Sequence, residues 1–172
     1  MKNQIKHNVA ILDRDGVLNF TNKNSYIGYQ KDFKWIKGAK KTIQYLNNKN
    51  FKVIVVTNQS GIARKFFKYG DVIKLHNFMN LDLRKISAKI DRFYFCPHHI
   101  EGTDKKYKKN CKCRKPEIGN FKKIKKKWNI NYAKTFMIGD QKTDMMFAEK
   151  SKIKGYLFSG DNLFTFIKKL KL

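Results

Sequence analysis

In the stretch ILDRDGVLNF, residues 11–20, two aspartates stand one residue apart directly behind a short apolar run. In a turn leaving a strand, residues i and i+2 reach one crevice from slightly different angles. One carboxylate of such a pair can then attack phosphorus while the other handles protons. Asp13 and Asp15 form that pair. Polar groups follow other apolar runs in the same way. KVIVV (52–56) is followed by Thr57, Asn58, Gln59 and Ser60, RFYF (92–95) by CPHH and later CKCRKP, and TFMI (135–138) by GDQKTD with Asp140 and Asp144. Asp and Gly are ordinary turn residues, and any one of these segments alone reads equally well as a charged turn. Four converging on one crevice describe phosphoryl transfer. Asp13, Asp15 and Asp140 would concentrate negative charge that calls for a hard, oxygen-bound cation, and Mg²⁺ fits. Thr57 and the amides around Asn58 and Gln59 can donate to phosphate oxygens. Lys115 is placed to neutralise charge on the transferring group.

The elements that must position these residues alternate along the chain. NVAIL (8–12), KVIVV, RFYF, TFMI and GYLF (155–158) read as short buried strands. Between them, Ala39, Ile43 and Leu46 share one helical face. Val72, Leu75, Met79, Leu83 and Ile86 share another. Phe121, Ile124 and Trp128 form a third stripe, with Lys122, Lys123, Lys125, Lys126 and Lys127 facing out. Asp161 or Asn162 can cap a last helix carrying Leu163, Ile167 and Leu170. Strand alternating with helix predicts an α/β, Rossmann-like three-layer sandwich with a mostly parallel sheet. Ligands of such sheets sit beyond the C-terminal strand ends, where the polar segments fall. No stretch is long enough for a separate cap domain, so residues 1–172 are expected to form a single domain. Substrate choice then falls to the loops 19–32 and 60–70 and to the cysteine-rich loop.

The 172 residues can bury a real core, and the 41% hydrophobic fraction excludes a disordered chain. No apolar run approaches the ~20 residues of a membrane span, and MKNQIKHNVAILDRDG is too short in apolar residues for a signal peptide. A cytoplasmic protein is expected. The net charge is +26, which attracts polyanions. Only five of the 39 basic residues are Arg, and Lys is spread along the whole chain. A nucleic-acid reader favours Arg for bidentate contacts, so the charge reads chiefly as a solvated surface with non-specific affinity for nucleic acid. Cys96, Cys111 and Cys113 are an odd number without an export signal, which argues against disulfides. Their clustering suggests metal. His7 and His76 read as surface or packing residues.

The motifs resemble those of the haloacid dehalogenase superfamily of phosphotransferases: DRDGVLN, VVTNQSG, Lys115 and IGDQKTD stand in family order between residues 9 and 144. DRDGVLN, TNQSGIAR, CPHH and CKCRKP look most like the D-glycero-D-manno-heptose 1,7-bisphosphate phosphatases and the related histidinol-phosphatase domains. That branch implies a structural Zn²⁺ on Cys96, His98, Cys111 and Cys113, in a zinc loop of about 96–113, with His99 a rival for the nitrogen position. Three S and one N ligand suit tetrahedral zinc, and two close pairs can pinch a Lys-rich loop that has no core of its own. The resemblance further implies Asp13 as nucleophile, Asp15 as acid and base, and Mg²⁺ on the Asp13 carboxylate, the Asp15 carbonyl and Asp140. Thr57 and Lys115 would hold the phosphoryl group, and Asn58, Arg114 and Asn19 would bind substrate. Asp144 would stand behind the metal ligands, orient Lys115 or cap the following helix. The expected activity is Mg²⁺-dependent hydrolysis of a small sugar phosphate, heptose 1,7-bisphosphate first and histidinol phosphate as the rival, by a monomer. A phosphatase of nucleic-acid ends fits the charge. A non-catalytic basic zinc module leaves Asp13, Asp15 and Asp140 unexplained, because carboxylates repel phosphate unless a metal intervenes.

Overall fold

The computed structural model describes residues 5–21 and 26–170, so residues 22–25 of the loop 19–32 lie outside the described residues. Among the described residues five strands alternate with five α-helices: β1 (His7–Leu12), α1 (Ala39–Asn48), β2 (Phe51–Asn58), α2 (Tyr69–Arg84), β3 (Arg92–Cys96), α3 (Gly119–Lys127), β4 (Ile130–Gly139), α4 (Lys142–Lys150), β5 (Lys154–Leu157) and α5 (Leu163–Lys169). The strands form one sheet in the order β3-β2-β1-β4-β5, and every pairing is parallel. Successive side chains alternate between the two faces, as a pleated strand requires. Ala10, Leu12, Val53 and Val55 meet Ile43 and Leu46 of α1, Met79 and Leu83 of α2 and Ile167 of α5 on one face. Val9, Ile11, Ile54 and Val56 meet Ile124 of α3 and Phe147 of α4 on the other. Both faces are covered, which is why β1 and β2 are nearly continuous apolar runs. The result is the expected three-layer α/β sandwich.

β1 is central. The chain winds from it through β2 to β3 on one side, then crosses to β4 and β5 on the other. Leu12 pairs with Val55 and with Ile138, so β1, β2 and β4 end side by side. The winding direction reverses between β1 and β4, and their C-terminal ends open the crevice that doubly wound sheets offer to ligands. The helices stop where local chemistry dictates. Asp71 accepts from the Lys68 amide at 2.9 Å to start α2, and Asn162 accepts from the Phe164 and Thr165 amides at 3.0 and 3.2 Å to start α5. No described helix is long and apolar enough to cross a membrane.

Candidate active site

Asp13 follows β1, Thr57 and Asn58 end β2, and Asp140 follows β4. With Asp15, Thr21, Arg114, Lys115, Gln141 and Thr143 they line a cleft of about 240 Å³. Its floor is a buried charge relay. The Lys115 ammonium lies 2.9 Å from Asp13 Oδ1 and 2.6 Å from Asp144 Oδ1, and donates to the Val56 carbonyl at 2.8 Å. Burial works against the Lys115 charge, yet Asp13 and Asp144 hold its pKa above the ordinary value. Burial pushes Asp13 up to about 7, with Asp144 and Asp15 adding to the rise and Lys115 opposing it. Burial, and then Asp144, also raise Asp140. These groups carry more negative charge than one lysine offsets.

The carboxylates of Asp13, Asp140 and Asp144 can place one oxygen each within 4.8 Å of the others. Asp140 Oδ1 is buried without a partner. A Cβ on Gly16, which sits at φ +82, would fall 2.2 Å from Asp140 Oδ2, so only glycine lets the loop close over that carboxylate. An unsatisfied carboxylate oxygen amid excess negative charge fits a hard cation such as Mg²⁺.

Each expected site residue has a definite place. Asn58 lines the cleft but spends its amide on Lys115, donating to the Lys115 carbonyl at 3.1 Å and accepting from the Lys115 amide at 2.9 Å. Arg114 lines the cleft, and its guanidinium lies 3.5 Å from the His98 carbonyl. Asn19 does not reach the cleft. It is fully buried and donates to Asp15 Oδ1 at 2.9 Å. The reason is the tight DGVLN turn, which carries Asn19 back under Asp15, where its amide bridges to Phe20. Asp144 fills two of its expected roles: one oxygen meets Lys115 at 2.6 Å, and the other accepts from the Gln141 amide at 3.1 Å as the cap of α4. Gln59 was expected only through its backbone, but its side chain donates to Asp15 Oδ2 at 2.7 Å and to Thr57 Oγ1 at 3.0 Å. Gln141 and Thr143 also line the cleft, and GDQKTD was the stretch that could have revealed them.

The four polar segments do not all serve the cleft. CPHH turns away into a separate cluster, in which Cys96, Cys111 and Cys113 Sγ atoms stand 3.2–3.4 Å apart. His98 Nδ1 lies 3.7 Å from Cys96 Sγ and 3.4 Å from Cys113 Sγ. The hydrogen bond with Cys96 draws the Cys113 thiol down to about 5 against its burial, with Cys111 and His98 helping, while Cys96 is raised. Three free sulfurs and one nitrogen packed this closely fit a closed tetrahedral zinc site. His99 faces elsewhere, toward Arg64 and Glu101. Arg64 thereby ties the 60–70 loop to the zinc loop, as do the Thr103 and Asp104 amides on the Ala63 carbonyl.

Carboxylates delivered by two strands at a switch point, beside a buried lysine and a threonine hydroxyl, define a phosphotransferase on a doubly wound α/β scaffold. Residues 8–167 match the family described as Polynucleotide kinase 3 phosphatase. The D-glycero-beta-D-manno-heptose-1,7-bisphosphate 7-phosphatase of Rhodopseudomonas palustris is 38% identical over 94% of this chain and 88% of its own length. The D-glycero-alpha-D-manno-heptose-1,7-bisphosphate 7-phosphatase of Campylobacter jejuni is 36% identical over 82% of this chain and 76% of its own length. The D,D-heptose 1,7-bisphosphate phosphatase of B. bronchiseptica, solved with magnesium and phosphate, superposes with a TM-score of 0.78 at 27% identity, covering 96% of this chain and 87% of its own. The chain belongs to the haloacid dehalogenase superfamily, in the family of heptose-bisphosphate phosphatases, and is a phosphoric monoester hydrolase.

Proposed function

We propose that the protein hydrolyses the 7-phosphate of D-glycero-D-manno-heptose 1,7-bisphosphate, working as a single domain whose cleft is complete within one chain. Similarity to relatives of that activity along nearly the whole chain, 94% of it for the R. palustris enzyme, carries the reading. In it Asp13 attacks phosphorus in line, and the P–O bond to the sugar breaks. Asp15 gives its proton to the departing sugar oxygen. Asp15 then takes a proton from water as that water attacks phosphorus, and phosphate leaves Asp13. Lys115 and Thr57 hold the phosphoryl oxygens, and Asn58 fixes the backbone that presents Lys115. Arg114, at the rim, suits a second anionic group because its fork matches phosphate. Asp13, the Asp15 carbonyl and Asp140 would hold Mg²⁺, which neutralises charge developing on the phosphoryl group. Cys96, His98, Cys111 and Cys113 would hold Zn²⁺ in a structural role.

The family match to polynucleotide 3′ phosphatases and the +26 charge favour a second reading, a phosphatase of nucleic-acid ends. The two are separated by kcat/KM with Mg²⁺ for both anomers of heptose 1,7-bisphosphate, histidinol phosphate and a 3′-phosphorylated oligonucleotide. The heptose bisphosphate is expected to lead by at least ~100-fold, a floor well below the ~10,000-fold that sites built to pair substrate polar groups can reach. An oligonucleotide that leads instead overturns the assignment. Asp13→Asn, nearly isosteric but no nucleophile, is expected to lower turnover about 1000-fold or more while the fold persists.

A further inference from the structure

Arg14 stands between the two aspartates of the motif, yet it points the opposite way. It is fully buried. Its Nε and Nη2 donate to Asp15 Oδ1 at 3.1 and 2.9 Å, and Nη2 reaches Asp15 Oδ2 at 3.0 Å. Nη2 also donates to the Ile27 carbonyl and, at 3.1 Å, to Gln59 Oε1. Nη1 lies 3.5 Å from Nε2 of His76, a residue of α2 stacked on Phe93. The Asp15 carboxylate is therefore gripped from behind by Arg14, Gln59 and Asn19 and left open on the cleft side, with a quarter of its side chain exposed.

An ion pair buried on one side, as this one is at Arg14, is a poor device for stability, because desolvation offsets much of what the attraction supplies. Its strength is geometric: a guanidinium fork fixes a carboxylate in one plane. The loop outside the pair is fixed too. Tyr26 stacks on Phe66 at 4.7 Å, Tyr29 meets Phe67 edge-on, and the Phe67 ring fills the space that a Cβ on Gly28 or Gly61 would need. The Ile27 carbonyl is thus a rigid anchor for Arg14.

We propose that Arg14 is a positioning residue that holds the Asp15 carboxylate where it can pass a proton to the leaving oxygen and take one from water. The proposal rests on the phosphatase reading above. Its distinguishing consequence lies in which half of the reaction suffers. p-Nitrophenolate leaves phosphorus without needing a proton, so phosphorylation of Asp13 by p-nitrophenyl phosphate needs no Asp15. Departure of a sugar alkoxide, and attack of water on the aspartyl-phosphate, both need it.

The experiment follows p-nitrophenyl phosphate and heptose 1,7-bisphosphate through wild type, Arg14→Gln and Gln59→Leu, each with Mg²⁺ and each checked for fold by circular dichroism. Arg14→Gln is expected to release about one nitrophenolate per chain in a burst, and then turn over about 100-fold or more slowly, the range of general acid–base contributions. Mass spectrometry is expected to find its chain covalently phosphorylated. Sugar-phosphate turnover is expected to fall at least as far, with KM little changed. Gln59→Leu, which removes one donor to Asp15, is expected to show the same split to a smaller degree, and it carries the test if Arg14→Gln does not fold. Wild-type turnover in the folded variants, or a burst slowed as much as turnover with no phosphorylated chain, overturns the Arg14 role and leaves the phosphatase reading standing. A wild-type protein that hydrolyses neither ester, or an Asp13→Asn variant that still turns over, overturns both.

Discussion

Lys115 binds the active site together by opposing charge. It is 2% exposed and separates Asp13 from Asp144, both buried carboxylates. Removing one partner of a buried ionic group leaves the others uncompensated, at a cost of about 3–5 kcal/mol. Lys115→Met is therefore expected to lower stability by about that amount in urea unfolding without Mg²⁺, besides abolishing turnover. Adding Asp144→Leu is expected to recover part of the loss, because one of the two stranded carboxylates is gone, although α4 then also lacks its cap. A Lys115→Met protein as stable as wild type would show that the relay is not what holds these carboxylates in place. At this scale the sequence was legible wherever a motif residue works through its own side chain: Asp13, Thr57, Lys115 and Asp140 all line the cleft. It was legible for Asp144, which holds Lys115 and caps α4, but not for the side-chain amides. Asn19, Asn58 and Gln59 carry amides that look suited to a sugar, and only the turn geometry shows them spent on Asp15 and on the Lys115 backbone.

Two elements respond to different conditions. Helix α2 presents His76 to Arg14 and to the rings of Phe93 and Phe95, and burial, then the Arg14 charge, hold its pKa well below the ordinary value. Above about pH 6.5, imidazole is neutral both folded and unfolded, and stability is full. As pH falls below that value only the unfolded chain takes up the proton, so this histidine makes stability decline by up to about 1.4 kcal/mol per pH unit. His76→Gln keeps an acceptor for Arg14 but no titration. It is expected to be less stable near pH 7 and yet to lose less on going to about pH 5.5, as unfolding curves at the two pH values would show. An unchanged slope would place His76 outside the acid response. The zinc loop depends on metal instead. Chelation is expected to open residues 97–113 to proteolysis while the sheet remains folded, because this segment adds nothing to the two clusters on the sheet faces and only Tyr107 to the small cluster of Ile62, Phe67 and Val72. kcat is expected to fall less than about tenfold, since Lys115 is separately held by Asn58, Val56, Asp13 and Asp144. Freshly purified protein without zinc would count against the site. Strand and helix faces were readable because their periods are regular. The first half of β4, Ile130–Lys134, was missed because it is largely exposed, and its pairing with β1 is interrupted between His7 and Val9.

Across the whole molecule, most positive charge lies on lysines outside the cleft, such as Lys122, Lys123, Lys125, Lys126 and Lys127 on the outer face of α3. The cleft itself is different. Its cations are one buried lysine and one arginine, set against Asp13, Asp15 and Asp140. The two parts of the molecule should therefore answer salt differently. A polyanion on the lysine surface releases counterions when it binds, and its affinity falls steeply as salt rises. A small bisphosphate is gripped at contact distance, well inside the screening length of about 8 Å at physiological ionic strength. Raising salt from about 50 to 200 mM is expected to weaken oligonucleotide binding by about 1000-fold or more if six or more phosphates are engaged. Over the same range kcat/KM for heptose 1,7-bisphosphate is expected to change less than about fivefold, because only the long-range attraction between substrate and surface is screened. Parallel salt slopes for the two ligands would mean that the basic surface belongs to the catalytic encounter. The charge would then have to be explained as part of substrate capture rather than as a solvated exterior.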